Sequence, residues 1–288
     1  MRRILGWLLT ASVLVVIPVP AARAGTAWAD GDRVALVIGN GAYLHGGALP
    51  SPVKDARAVA GALKRLGFRT IEGYDLTRPE MIRRVRDFGR AAEGAEVALV
   101  YYAGHGVQVR GHNHLLPVDA RPEREMDLNY DALALERILE EAGPARRLRI
   151  LILDACRDNP FATRIAHTMG PAHAARVGIG LAPVQDVAAD TLVAYATATD
   201  AVAIDGVGGG DGEGAHSPYT AALLQTLETP GLEIGRLFGR VRDRVIAATG
   251  GRQQPFTHGS LAGPPFYFVP PAEREVEAGS VTARSRVR

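Results

Sequence analysis

Cysteine is almost missing from this 288-residue chain, in which Cys156 stands alone. One thiol cannot close an internal disulfide, and it cannot supply a zinc site built on several cysteines. Lysine is nearly as scarce, with Lys54 and Lys64 beside 31 arginines. The formal charge is only +2, so no basic excess calls for a nucleic-acid partner. No repeat period is visible, which excludes collagen-like and solenoid architectures. What is present is ordinary globular composition, 47% apolar and 22% charged, which excludes a wholly disordered chain. That length suits one α/β domain with a sizeable core.

A long uncharged apolar run, Ile4 to Val19, lies close to the N-terminus. Arg2 and Arg3 precede it, and Ala22-Arg23-Ala24 follows with small residues at the two positions that define a cleavage site. Residues 1–24 therefore read as an export signal, with Ala27-Trp28-Ala29 offering a second cut site at residue 29. The competing reading is a retained anchor. Pro18 and Pro20 weigh against it, because they break the run short of the ~20 residues a bilayer span needs. Cleavage after Ala24 removes three arginines and no acid, taking the formal charge from +2 to −1. The expectation is an exported protein, periplasmic or secreted, with no stable membrane span after cleavage.

From Arg33 onward, short apolar runs alternate with amphipathic stretches. Strands are expected at Val34–Ile38, Phe68–Tyr74, Val97–Tyr102, Leu148–Leu153 and Thr191–Ala196, with a hairpin from Val107 to Val118. Helices are expected at Pro52–Leu66, Arg78–Ala92, Leu128–Ala142, Ser217–Leu227 and Leu232–Ala248. Phe161–Asp186, rich in Ala, Gly, Pro and His, reads as a long exposed loop, and Phe266–Val269 as an edge strand. Alternating strands and helices predict an α/β fold: a mostly parallel central sheet flanked by helices on both faces. One domain spans 32–270, and 271–288 reads as a disordered tail.

Two loops follow buried strands directly. Tyr101-Tyr102 runs into Ala103-Gly104-His105-Gly106, and Ile152-Leu153 runs into Asp154-Ala155-Cys156-Arg157-Asp158. Functional groups gather at the carboxyl ends of parallel strands. If these two strands are neighbours, His105 and Cys156 emerge side by side. A thiol nucleophile, a proton-transfer partner and glycine-flanked backbone N–H groups suit acyl transfer. Taken singly, such a cysteine is usually a buried small hydrophobe and such a histidine often only a loop residue. Together they stand 51 residues apart, close to the spacing of about 50 known for caspases.

With these motifs in order, the chain resembles a caspase-fold cysteine peptidase of the bacterial caspase-like, metacaspase and paracaspase branch. Val34-Ala35-Leu36-Val37-Ile38-Gly39-Asn40, Pro52-Val53-Lys54-Asp55-Ala56 and Leu115-Leu116-Pro117-Val118-Asp119 also carry the resemblance, as does Tyr195-Ala196-Thr197. It implies the caspase-haemoglobinase fold, Cys156 as nucleophile through a thioester, His105 as proton carrier, and the backbone N–H groups of Gly106 and Cys156 as oxyanion hole. It also implies protein or peptide substrates. The caspase signature Q-A-C-[RQG]-G is not matched at Asp154 or Asp158. An acid two residues before the nucleophile would repel a P1 aspartate and attract Arg or Lys. Asp55 matches a second pocket acid, against the plainer reading of an acid in the first turn of a helix. A third is Asp200 or Asp205. The alternative function is an idle caspase-fold module that binds protein partners.

The loop after Cys156 corresponds to a segment that caspases cleave, and Arg176 and Arg164 are candidate self-cleavage sites. No metal or cofactor is required, although calcium activation is a candidate through Asp205, Asp211 and Glu213; no EF-hand spacing is present. His112 and His114 lack a third ligand for zinc and read as a solvated hairpin. Gly39-Asn40-Gly41 lacks the nucleotide-loop patterns and reads as a structural turn. The oligomeric state is left open.

Overall fold

The computed structural model describes residues 32–155, 160–169, 177–178, 180–185, 187–198 and 216–272. The expected signal at 1–24 and the tail from Glu273 lie outside them. In chain order the elements begin with β1 (Arg33–Gly39), α1 (Pro52–Arg65), β2 (Arg69–Tyr74), α2 (Arg78–Ala92) and β3 (Val97–Ala103). Next come β4 (Gly106–Val109), β5 (His112–Leu115), α3 (Leu128–Asp131), β6 (Leu133–Ala134), α4 (Leu135–Ala142) and β7 (Leu148–Asp154). The last are α5 (Pro160–Met169), β8 (Val177–Gly178), β9 (Thr191–Tyr195), α6 (Pro218–Leu227), α7 (Ile234–Thr249) and β10 (Phe256–Ser260).

The central sheet has the order β10-β9-β7-β3-β1-β2, parallel throughout except for β10. Its inner strands are apolar on both faces because helices cover both. Alternate residues of β3 divide between two cores. Val97, Leu99, Tyr101 and Ala103 face the core shared with α1, α6 and α7, while Ala98, Val100 and Tyr102 face the core under α2 and α4. In β7, Ile150 and Ile152 belong to the first of these cores and Leu151 and Leu153 to the second. A small antiparallel sheet, β6-β5-β4-β8, stands beside the main one. The α/β expectation, with a mostly parallel sheet between helical layers, is what the chain adopts.

Three local expectations are corrected. Leu128–Ala142 is not one helix: α3 ends at Asp131, and β6 pairs with β5 before α4 begins. The reason is tertiary, since Leu133 opposite Leu115 joins the core under α2 and α4 as part of a strand. Phe161–Asp186 is not an open loop, because it begins with α5. Phe161 and Ile165, four residues apart, put one buried face against Tyr43, Val107, Val109 and Leu116. Further along, Leu181 and Val184 are also buried. The edge strand is β10, not Phe266–Val269, where the described pairing is a single bridge from Tyr267 to Glu233. Phe256 leads β10 by stacking on Tyr195, with ring centroids 4.5 Å apart. Phe266 and Phe268 instead bury around the Arg33 guanidinium, which donates to the carbonyls of Leu66, Tyr267 and Phe268. The Gly39-Asn40-Gly41 turn is structural, as expected: Asn40 is buried, donating to Leu116 O and accepting from Leu76 N.

Candidate active site

Strands β3 and β7 are neighbours, and their register sets Ala103 opposite Asp154. His105 lies two residues beyond the first and Cys156 two residues beyond the second. Cys156 itself is outside the described residues, so its contacts are not part of this geometry.

His105 is buried, and its backbone is held on both sides. Its N–H donates to the Tyr43 hydroxyl at 2.7 Å, and its carbonyl accepts from Leu116 N at 3.1 Å. The Tyr102 hydroxyl lies 2.7 Å from the same carbonyl and 3.0 Å from Leu116 O. Tyr43 in turn donates to Leu116 O at 3.1 Å. The imidazole packs against the Tyr43 ring at 4.5 Å and edge-on to Phe161 at 5.9 Å. Gly104 makes this turn possible. Its φ is +152°, and an added Cβ would sit 2.6 Å from the Tyr43 hydroxyl and 2.8 Å from that of Tyr102. Gly106 opens β4 against Leu181, which a Cβ there would meet at 2.9 Å.

The two acids expected in the pocket come together. The period of two along β7 turns Asp154 toward the face covered by α1 and α6. Asp154 is buried, and its Oδ2 accepts from the hydroxyls of Ser217 at 2.5 Å and Thr220 at 2.9 Å. The Thr220 hydroxyl is 2.6 Å from that of Tyr101, so the Tyr101 proton completes a chain of three groups. Asp55, in the first turn of α1, is equally buried. The Nδ1 of His216 lies 2.6 Å from its Oδ1, and the Ser217 N–H donates to Oδ2 at 3.2 Å. Burial first, and then the charge of Asp154, push Asp55 up to about 6 from its ordinary 3.8, against the opposing bonds from His216 and Ser217. The Tyr219 hydroxyl is held well above its usual range by burial and by Asp154. The N-terminus of α6 thus docks on both carboxylates, and Ser217 also caps its own helix by accepting from Thr220 N at 3.0 Å.

A model of the caspase domain matches residues 32–266, most of the chain. The chain belongs to the caspase-domain family. Two curated relatives match part of this caspase domain. The mucosa-associated lymphoid tissue lymphoma translocation protein 1 homolog of Mus musculus is 34% identical over 132 residues, covering 44% of this chain and 15% of that protein. The Homo sapiens protein of that name matches with the same identity and coverage. The chain therefore spans only a small part of the length of either relative. The family is one of caspase-fold cysteine peptidases, which act on protein substrates.

Within this caspase domain, the structure brings Asp55 and Asp154 together and puts His105 on the loop after the strand beside β7. Asp200, Asp205 and Arg176 lie outside the described residues, as do Asp211 and Glu213. Arg164 sits in α5, where its guanidinium donates to His45 O at 2.6 Å and lies over the Phe161 ring. It is thus part of a helix rather than of an exposed loop. His112 is exposed and 3.2 Å from Glu136, and burial lowers the pKa of His114. Among the described residues, no group of three His, Cys, Asp or Glu side chains is placed to hold a metal. No helix among them is long and apolar enough to cross a membrane. Sequence reasoning missed Tyr43, Thr220 and His216, and saw Ser217 only as a cap. Nothing in the local sequence of Tyr43 distinguishes it, because its role comes from contacts with residues 59 or more positions away.

Proposed function

We propose that this caspase domain is a cysteine endopeptidase that cleaves after Arg or Lys through His105 and Cys156. The carrying observation is the buried pair Asp55 and Asp154, joined at the carboxyl end of β7, two residues before Cys156. Two carboxylates fit a P1 guanidinium, whose five N–H donors need several acceptors, and they repel an acidic P1 side chain. Further support comes from the β3–β7 register, which starts the His105 loop and the Cys156 segment from paired positions.

In this reading the Cys156 thiol adds to the scissile carbonyl and its proton passes to His105. The oxyanion is held by the N–H groups of Gly106 and Cys156. Collapse of the adduct breaks the C–N bond, the amine departs with the proton from His105, and water then hydrolyses the thioester. Asp200 or Asp205 supplies a third acid to the pocket. The protein is exported after removal of residues 1–24, and the active enzyme needs no metal, calcium being at most an activator. Self-cleavage falls at Arg176 rather than at Arg164, which α5 holds in a helix with its guanidinium on His45 O. Mass spectrometry of the wild type beside Cys156→Ala tests that last point, since a cut that persists in the variant belongs to another protease. The main test uses fluorogenic peptides with Arg, Lys or Asp at P1. Cleavage after Arg or Lys that disappears in Cys156→Ala is the expected result, and cleavage after Asp alone overturns the proposed specificity.

A further inference from the structure

The Asp55 carboxylate is already engaged by an imidazole from its own chain. His216 Nδ1 lies 2.6 Å from Oδ1, while Ser217 N–H takes Oδ2. Of these groups, His216 is the one that reaches solvent, with 29% of its side chain exposed, whereas Asp55 shows none. It is also the natural pH-dependent cation among side chains. A protonated imidazole on Asp55 stands where a P1 guanidinium or ammonium would pair with the same acid.

We propose that His216 is a specificity residue that occupies the basic P1 pocket in the absence of substrate and competes with the P1 cation for Asp55. The inference rests on the reading of Asp55 and Asp154 as that pocket. A P1 cation must displace the imidazole or share the carboxylate with it, and like-charge repulsion makes sharing unfavourable while His216 carries its proton. His216 would thereby disfavour P1 side chains that cannot push it aside.

Few other charges bear on this pair among the described residues. From β7 comes Asp154. From α6 comes Tyr219, which stays protonated and uncharged. Along α1, Lys54 precedes Asp55, and Arg57 lays its guanidinium over the Tyr74 ring at 4.0 Å. Asp55 itself takes up a proton near pH 6, which weakens cation binding with or without His216. Comparisons therefore belong well above that pH, where Asp55 is ionised.

His216→Asn is the informative variant. The Asn amide nitrogen overlies the histidine Nδ1, so the donor to Asp55 is kept and the charge is removed. There, with Asp55 ionised, His216→Asn is expected to lower KM for an Arg peptide about 5- to 10-fold with kcat little changed. A peptide with uncharged citrulline at P1 should show no such difference. Equal KM for the Arg peptide in both proteins overturns the proposal. If neither the wild type cleaves nor Cys156→Ala binds the Arg peptide, the pocket reading itself fails, which is a separate outcome. A second measurement leaves His216 unaltered: saturating Cys156→Ala with the Arg peptide should move the His216 ring resonances in an NMR spectrum. Unmoved resonances on a protein that binds the peptide overturn the proposal even if His216→Asn does not fold.

Discussion

Asp154 carries the largest share of the proposed specificity. It is fully buried, and its described partners at Oδ2 are hydroxyls, which compensate a carboxylate less than a cation does. Asp154→Asn keeps an acceptor for Ser217 and Thr220 but removes the charge that would meet P1. Breaking a buried charge pair costs about 2–5 kcal/mol, so kcat/KM for an Arg peptide should fall roughly 30-fold to several thousand-fold. Steady-state kinetics check this, and an unchanged value would remove Asp154 from the pocket. Asp55 makes a second prediction, in stability. With its pKa raised to about 6, the folded protein keeps a proton that the unfolded chain releases near 3.8. Between those values the native state binds more protons, so stability falls as pH rises. The contribution is complete below the lower value and lost through the upper one. Denaturant unfolding at stepped pH should therefore show the wild type losing stability relative to Asp55→Asn across that window; parallel curves would contradict the shift. Tyr43→Phe takes the acceptor from the His105 N–H, and an unsatisfied buried donor costs about 1–3 kcal/mol. Urea unfolding measures that cost.

At the scale of elements, the loop from β3 into β4 is the tightest constraint. Gly104→Ala forces a side chain onto a φ of +152° and into the hydroxyls of Tyr43 and Tyr102. The expected cost is about 1–3 kcal/mol, seen as a lower melting temperature, with His105 displaced by the same contact. This loop also shows how far the sequence could be read. β1, β3 and β7 were legible because strands buried on both faces are uninterrupted apolar runs. The helices α1 and α2 were legible from their periodicity and from Pro52 and Pro79 in their first turns. Two of the missed elements owe their form to distant partners. Helix α5 depends on a pocket formed by Tyr43, Val107 and Leu116, and β6 on an edge offered by β5. The site divides the same way. His105 was legible because its motif follows a buried strand, and Asp55 and Asp154 through the resemblance to the caspase family. His216 and Thr220 were not, since each acts across 66 residues or more.

For the molecule as a whole, two devices hold the sheet in place without disulfides. One is its pair of apolar cores, and the other is Arg33, a buried guanidinium that joins β1 to the carbonyls at 66, 267 and 268. Burial, with repulsion from Arg147, lowers its pKa to about 10, so it remains charged at neutral pH. Arg33→Met strands those carbonyls, at a total cost of at least about 3 kcal/mol. For a domain of this size that corresponds to a melting temperature lower by about 6–12 °C. An otherwise balanced charge, +2 over the full chain, is compatible with a locally acidic pocket because Asp55 and Asp154 are both buried. The solitary Cys156 has no internal thiol to pair with, and oxidation would block the nucleophile proposed for it, so assays include reductant. The most direct test is the initial rate of the protein on matched fluorogenic peptides carrying Arg or Asp at P1, in reductant, beside Cys156→Ala. The account predicts cleavage after Arg, none after Asp, and none by the variant; cleavage after Asp alone, or equal rates with and without Cys156, would contradict it.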